Sequence, residues 1–261
     1  MLQNELPTSG VTVEQHNVEI AENLRAWERK PLLRRIYRDM HLSIAAKCAH
    51  VPGIAAELGS GIGNIREVLP GCLRTDLFPN PWLDQTENAY TLSFDDESVA
   101  NLILFDVFHH LRYPGNALRE FHRVLAPGGR VLVFEPAMSA LGRLVFGVFH
   151  HEPIALKQPI AWNAPEHWSP ANVDYYAAQG NASRLFRRVG ATFEKLHVQS
   201  ISRSALFSYV ASGGYSKPQL YPESAYGIMR RLDRILDTCP ALFATRMLVV
   251  LEKKAAMASA L

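Results

Sequence analysis

The chain has 261 residues, 48% of them hydrophobic and 20% charged, with a formal net charge of +2. That length and apolar content supply a sizeable globular core, which excludes a fibre or a disordered tail protein. The near-neutral balance gives no bulk attraction to nucleic acid. Cys48, Cys72 and Cys239, odd in number and far apart, make neither a disulfide framework nor a zinc spacing. No apolar run approaches the ~18–20 residues of a membrane span, and the N-terminus, with Glu5, Glu14, Glu19 and Glu22, lacks the basic-then-apolar order of a signal peptide. A cytoplasmic protein with reduced thiols is expected.

Residues 25–47 are basic and amphipathic: Leu33, Ile36, Tyr37, Met40 and Ile44 share one helical face, Arg34, Arg35 and Arg38 lie elsewhere, and Pro31 suits a first helical turn. Such a helix either attracts an anionic substrate or a membrane surface, or covers the sheet edge or lids a cofactor. The second reading is preferred, because a basic solvated face is ordinary.

Residues 54–58 (IAAEL) are a short apolar run that predicts a buried strand, followed at once by Gly59, Gly61 and Gly63 and a helix-compatible stretch over 64–69. A dinucleotide fold uses G-x-G-x-x-G to bring backbone to a pyrophosphate. Here the third glycine comes one residue early. Glu57 closes the strand where a phosphate would be repelled and a cation welcomed. A second strand over 73–77 ends near Asp76, where a carboxylate accepts the hydroxyls of a ribose. The set suits an adenosine with no pyrophosphate and a positive centre, which is S-adenosylmethionine, and speaks against a nicotinamide cofactor.

A buried strand over 101–105, a helix from 114 to 125 with Ala117, Leu118, Phe121, Val124 and Leu125 on one face, a Pro-Gly-Gly stop and a strand over 130–134 follow. Strand, crossover helix and strand predict a parallel sheet. With E-L-G-S-G-I-G at 57–63, T-D-L at 75–77, L-S-F-D-D at 92–96, V-F-H-H-L at 107–111 and R-V-L-A-P-G-G-R at 123–130, residues 50–136 resemble the class I S-adenosylmethionine-dependent methyltransferases of the type 11 group.

The resemblance implies a Rossmann-like α/β fold: a mostly parallel seven-stranded sheet, helices on both faces, an antiparallel last strand and helical insertions. It implies one domain over 1–261, with an N-terminal helical cap at 1–50, a cofactor-binding core at 51–136, substrate-side insertions at 137–190 and 200–245, and the last strand at 246–254. The implied cofactor-binding residues are Glu57, Gly59, Ser60, Gly61 and Gly63 in the loop, Asp76 and Leu77 at the ribose, Asn88 and Ala89 at the adenine edge, and Asp106 beside the sulfonium. Asn88 stands where the family often has aspartate, and an amide can still accept from the adenine amino group.

Beyond the core, 138–149 has a helical apolar period leading into His150-His151-Glu152. Neighbours in sequence cannot easily share one ion on a helix, so no metal is expected. Residues 154–176 carry Trp162, His167, Trp168, Tyr175 and Tyr176, an aromatic insertion that either recognises substrate or caps the sheet. Ser169-Pro170 and Gly190 bracket an expected helix, 191–199 and 246–251 read as the last two strands, 222–237 reads as an amphipathic helix, and 255–261 is expected to fray.

Methyl transfer from a sulfonium is an in-line displacement that mainly needs alignment in a dry pocket. A hydroxyl acceptor would add a base, for which His109, His110 and His151 are the candidates. The expected activity is O-methylation of a small molecule or a glycan or lipid precursor, with peripheral membrane contact possible. A non-catalytic S-adenosylmethionine sensor or scaffold is the alternative, and the acceptor and oligomeric state stay open.

Overall fold

The computed structural model describes residues 13–150, 152–171 and 175–255. His151, the first part of the N-terminal cap and the tail at 256–261 lie outside the described residues.

The strands are β1 (Ile54–Leu58), β2 (Leu73–Asp76), β3 (Gln85–Thr86), β4 (Val99–Phe105), β5 (Leu125–Pro136), β6 (Thr192–Phe193), β7 (Leu196–Ser204) and β8 (Arg246–Lys253). They form one eight-stranded sheet in the order β3-β2-β1-β4-β5-β8-β7-β6. β1 to β5 pair in parallel, while β8 runs antiparallel between β5 and β7. The expected sheet has seven strands; the eighth arises because the strand read over 191–199 divides into β6 and the start of β7, which pair as a hairpin, and the two-residue β3 was not located in the sequence. The strand order reverses between β1 and β4, and ligands of open α/β sheets bind at the carboxyl ends on either side of such a reversal.

β4 reads VANLILF because both of its faces are covered. Leu102 and Leu104 face one layer with Val131, Val133, Val249 and Leu251, where α3 (Pro114–Val124) lays down Ala117, Leu118 and Phe121. Ile103 faces the other layer with Leu132, Phe134 and Leu248. There α2 (Pro31–Ala45) buries Leu32, Ile36, Met40 and Ile44, so the apolar stripe read in the sequence is core and the arginines are its outer face. The period-two alternation of the strands thus sends consecutive residues to two helical layers. Asn101, a polar residue inside β4, is satisfied by accepting from Ala49 N at 2.6 Å and donating to Ala49 O at 3.1 Å.

α1 (Val13–Arg29) precedes α2, with Pro31 at the start of the second helix forcing the break between them. The other helices are α4 (Ala140–Val148), α5 (Asn181–Leu185), α6 (Phe207–Ser212), α7 (Tyr226–Leu236) and α8 (Pro240–Phe243). Three elements differ from expectation. The segment after Gly63 is a 3-10 turn, Asn64–Glu67, not an α-helix. The helix expected after Ser169-Pro170 is confined to α5, because the backbone just before it bonds to distant parts of the chain: Ala178 N donates to His109 O at 3.0 Å and Gln179 N to Pro153 O at 3.1 Å. Gly190 stops no helix; at φ +84° its N–H donates to Val198 O and turns the chain into β6. Among the described residues no helix is long and apolar enough to cross a membrane.

Candidate functional site

A cavity of about 910 Å³ opens over the carboxyl ends of β1 and β4. One end is built by the loop after β1. Gly59 and Gly61 sit at φ +69° and +51°, where a Cβ is disfavoured. A Cβ on Gly59 would lie 2.3 Å from Val107 Cγ2, so only glycine lets the loops after β1 and β4 close on each other. Ser60 N donates to Thr75 O and Thr75 Oγ1 donates to Glu57 O, both at 2.8 Å, which locks the ends of β1 and β2 together.

Asp76 is buried at the end of β2. Its Oδ1 accepts from Leu77 N at 2.7 Å and its Oδ2 from Gly61 N at 3.3 Å. His16 of α1 brings Nε2 to 3.7 Å of Oδ2, and the nearby Asp76 carboxylate raises the imidazole above its ordinary value despite burial. Glu57 is buried with Oε2 lacking any hydrogen-bond partner. Burial, reinforced by Asp76, pushes its carboxyl up to about 8. A buried, unpartnered carboxylate oxygen aimed into a cavity calls for a cationic ligand. The ammonium of S-adenosylmethionine fits Glu57, and its ribose fits Asp76.

Glu57, Gly59, Ser60, Gly61, Asp76, Leu77, Asn88, Ala89 and Asp106 all line this cavity. Gly63 does not: at φ +70° it closes the loop, its N–H donating to Ser60 O at 2.8 Å, and a Cβ there would meet Arg74 Cδ at 2.6 Å. The Asn88 amide is already engaged, accepting from Tyr90 N at 3.0 Å and donating to Pro170 O at 2.8 Å. It ties the wall to the aromatic insertion, and its oxygen keeps capacity for a second donor. Asp106, at φ +56° after β4, pairs with the buried Arg246 at the start of β8. That guanidinium packs between the rings of Phe134, Phe146 and Tyr209.

At the other end, His109 and His110 meet Glu152. His109 is buried, with Nδ1 2.7 Å from Glu135 Oε2 and Nε2 3.3 Å from Glu152 Oε2. Burial opposes charge on this ring, but the two carboxylates prevail and raise it to about 10. Glu135, itself held by Phe108 N at 2.6 Å, was not singled out in the sequence. His110 is half-buried; its Nδ1 donates to Tyr176 O at 2.8 Å and its Nε2 lies 3.7 Å from Glu152 Oε1. Burial and then the neighbouring His109 lower it to about 4. Burial alone would raise Glu152, yet His109 and His110 hold it well below the usual carboxylate range. Glu152 also accepts from Tyr175 Oη and Gln179 Nε2, each at 2.5 Å. Tyr175 lies beside His110, with ring centroids 5.7 Å apart, and Phe146, Phe149, Trp168 and Tyr209 also line the cavity.

The methyltransferase domain family matches residues 57–133, the segment that carries this loop, Asp76 and Asp106. A comparison with curated proteins finds no match. The fold is similar to a chain of the complex between the Haloferax volcanii Trm112 methyltransferase activator and the putative methyltransferase, at 17% identity and a TM-score of 0.52, covering 92% of this chain and 98% of that one. It is also similar to a Thermotoga maritima S-adenosylmethionine-dependent methyltransferase described as a possible histamine N-methyltransferase, at 16% identity and 0.51, covering 90% and 99%. These neighbours fix the fold, and the family match with the site fixes the class. Residues 57–133 carry a methyltransferase domain, and the enzyme is an S-adenosylmethionine-dependent methyltransferase with S-adenosylmethionine as its cofactor.

Proposed function

We propose that the enzyme methylates a hydroxyl oxygen on a partly apolar small molecule or a glycan or lipid precursor. The observation that carries this reading is that one cavity brings Glu57 and Asp76 together with His110, Glu152 and several aromatic rings. The cofactor supplies an electrophilic methyl group: the acceptor oxygen bonds the methyl carbon as the carbon–sulfur bond breaks, sulfur keeps that electron pair, and the hydroxyl proton passes to solvent water.

His109 is ill suited to touch the acceptor, since both of its ring nitrogens face carboxylates. His110 has only Nδ1 engaged by a carbonyl, so the hydroxyl is received at the His110–Glu152 edge. Trp168, packed edge-on against Tyr90 and Tyr113, offers an apolar wall to the body of the acceptor. Free Cys48, Cys72 and Cys239 support a reducing, cytoplasmic setting.

The test is incubation with methyl-labelled S-adenosylmethionine and a panel of phenols, alicyclic alcohols and amines of similar bulk. Label in an ether product supports the reading. Label confined to amines, or no transfer to any acceptor, overturns it.

A further inference from the structure

The pair of histidines and Glu152 have an arrangement that proton transfer does not require. His110 Nδ1 faces a backbone carbonyl, which can only accept, so this nitrogen carries the hydrogen and Nε2 keeps its lone pair. His109 Nδ1 faces the Glu135 carboxylate, so it too donates through Nδ1 and turns Nε2 toward Glu152. Each ring is therefore oriented by an outer acceptor, one carboxylate and one carbonyl, with both Nε2 atoms directed at one carboxylate. That is the pattern by which histidine ligands are set around a metal ion.

The spacing agrees. His109 Nε2 and His110 Nε2 lie 3.3 Å and 3.7 Å from oxygens of Glu152, and ligand atoms of the three residues all fall within 4.8 Å of one another. Donors at ~2.0–2.2 Å from a common ion stand about 3.0–3.5 Å apart, so small side-chain adjustments close the set. Tyr175 and Gln179 steady the carboxylate without exhausting its lone pairs. A second grouping, Asp106, His109 and Glu135, is less available. There Asp106 is paired with Arg246, and Glu135 is occupied by Phe108 N and His109 Nδ1.

We propose that His109 Nε2, His110 Nε2 and the Glu152 carboxylate bind a divalent first-row transition ion at the acceptor end of the cavity, the ion displacing to solvent the proton that His109 Nε2 otherwise holds against Glu152. Two imidazoles and one carboxylate suit zinc, iron or cobalt and leave room for an oxygen ligand. The ion's task rests on the reading of the acceptor as a hydroxyl: it holds that oxygen and favours loss of the proton to solvent. Binding of the ion itself does not depend on that reading.

The full chain is stripped with EDTA and titrated with Co²⁺, followed by visible absorption, with Zn²⁺ as competitor. The expected result is saturable binding of one ion, displaced by Zn²⁺. Loss of outer partners alone costs roughly 10–100-fold in metal affinity, so removing a ligand in His110→Ala or Glu152→Gln should weaken Co²⁺ by at least about that factor. S-adenosylmethionine calorimetry on the same variants reports whether they fold. X-ray absorption on the Co²⁺-loaded wild type, which needs no variant, should count two imidazoles. No saturable binding, an unchanged spectrum in folded His110→Ala, or a first shell without imidazole overturns the site. Transfer to a hydroxyl without any ion binding defeats this proposal and leaves the proposed function standing. Ion binding with methylation of amines alone does the reverse.

Discussion

Glu57 shows how one buried carboxyl selects for a cation. Burial pushes it up to about 8, so with no cation beside it the carboxyl is mostly neutral at pH 7. The sign follows: a carboxyl raised above its unfolded value of 4.5 contributes stability below that pH, and this is lost as pH rises toward 8. A bound ammonium favours the carboxylate, so cofactor binding at pH 7 should release a proton, and affinity should rise by close to tenfold between about pH 6 and 7. Calorimetry in two buffers of different ionisation enthalpy measures this; the release should vanish in Glu57→Gln. A wild type that releases nothing would remove the ammonium from Glu57. Asp76 gives a second test. Hydrogen bonds to a charged acceptor are worth roughly 1.5–3 kcal/mol each but do not add. Asp76→Ala should therefore weaken S-adenosylmethionine by about 30–150-fold. Because Asp76 also holds Gly61 N, Leu77 N and His16, a modest drop in melting temperature should accompany it. Lost stability with unchanged affinity would make Asp76 a turn residue alone.

At the scale of elements, the loop after β1 and the helix over it act together. Gly61 has φ +51°, and a Cβ there would touch Ile20 Cδ1 of α1 at 3.5 Å, so the loop faces α1 across the cofactor end of the cavity. Gly61→Val adds two methyl groups in that space and a β-branched residue in a disfavoured conformation. Cofactor binding should be lost while urea unfolding stays cooperative; normal binding by the folded variant would contradict the loop's role. The loop, Asp76 and α3 were legible in the sequence because each is written in consecutive residues: a strand's apolar run, a glycine cluster, a helical period. α1 as a neighbour of Asp76 was not, since His16 and Ile20 read as part of a polar N-terminus. Nor was the helix after Ser169-Pro170 correctly read, because its backbone partners, His109 O and Pro153 O, lie far off in the chain. Glu152 drew attention through His150 and His151, yet its close partners are His109 and His110, brought to it only by the fold.

Across the whole molecule, the antiparallel insertion of β8 between β5 and β7 does more than finish the sheet. It places Arg246, the first residue of β8, under the loop after β4, where the guanidinium meets Asp106 although the two are distant in sequence. Arg246 is buried among aromatic rings, and its Nε has no hydrogen-bond partner, so Asp106 is the main compensation for its charge. Burial would lower this guanidinium, but Asp106 outweighs it and keeps the group charged. Removing one member of a buried ion pair strands the other, at a cost of about 3–5 kcal/mol, whereas replacing both by apolar groups is often near neutral. Asp106→Ala should therefore destabilise the protein by about that amount in urea melts, and Asp106→Ala combined with Arg246→Leu should recover part of the loss. The double variant separates two roles for Asp106. If the residue serves the fold alone, restored stability brings S-adenosylmethionine affinity back with it. If it also lines the cofactor site, as its place on the cavity wall indicates, the stabilised double variant folds and still binds the cofactor weakly. A single variant costing less than about 1 kcal/mol would mean that water, not Asp106, carries the charge of Arg246.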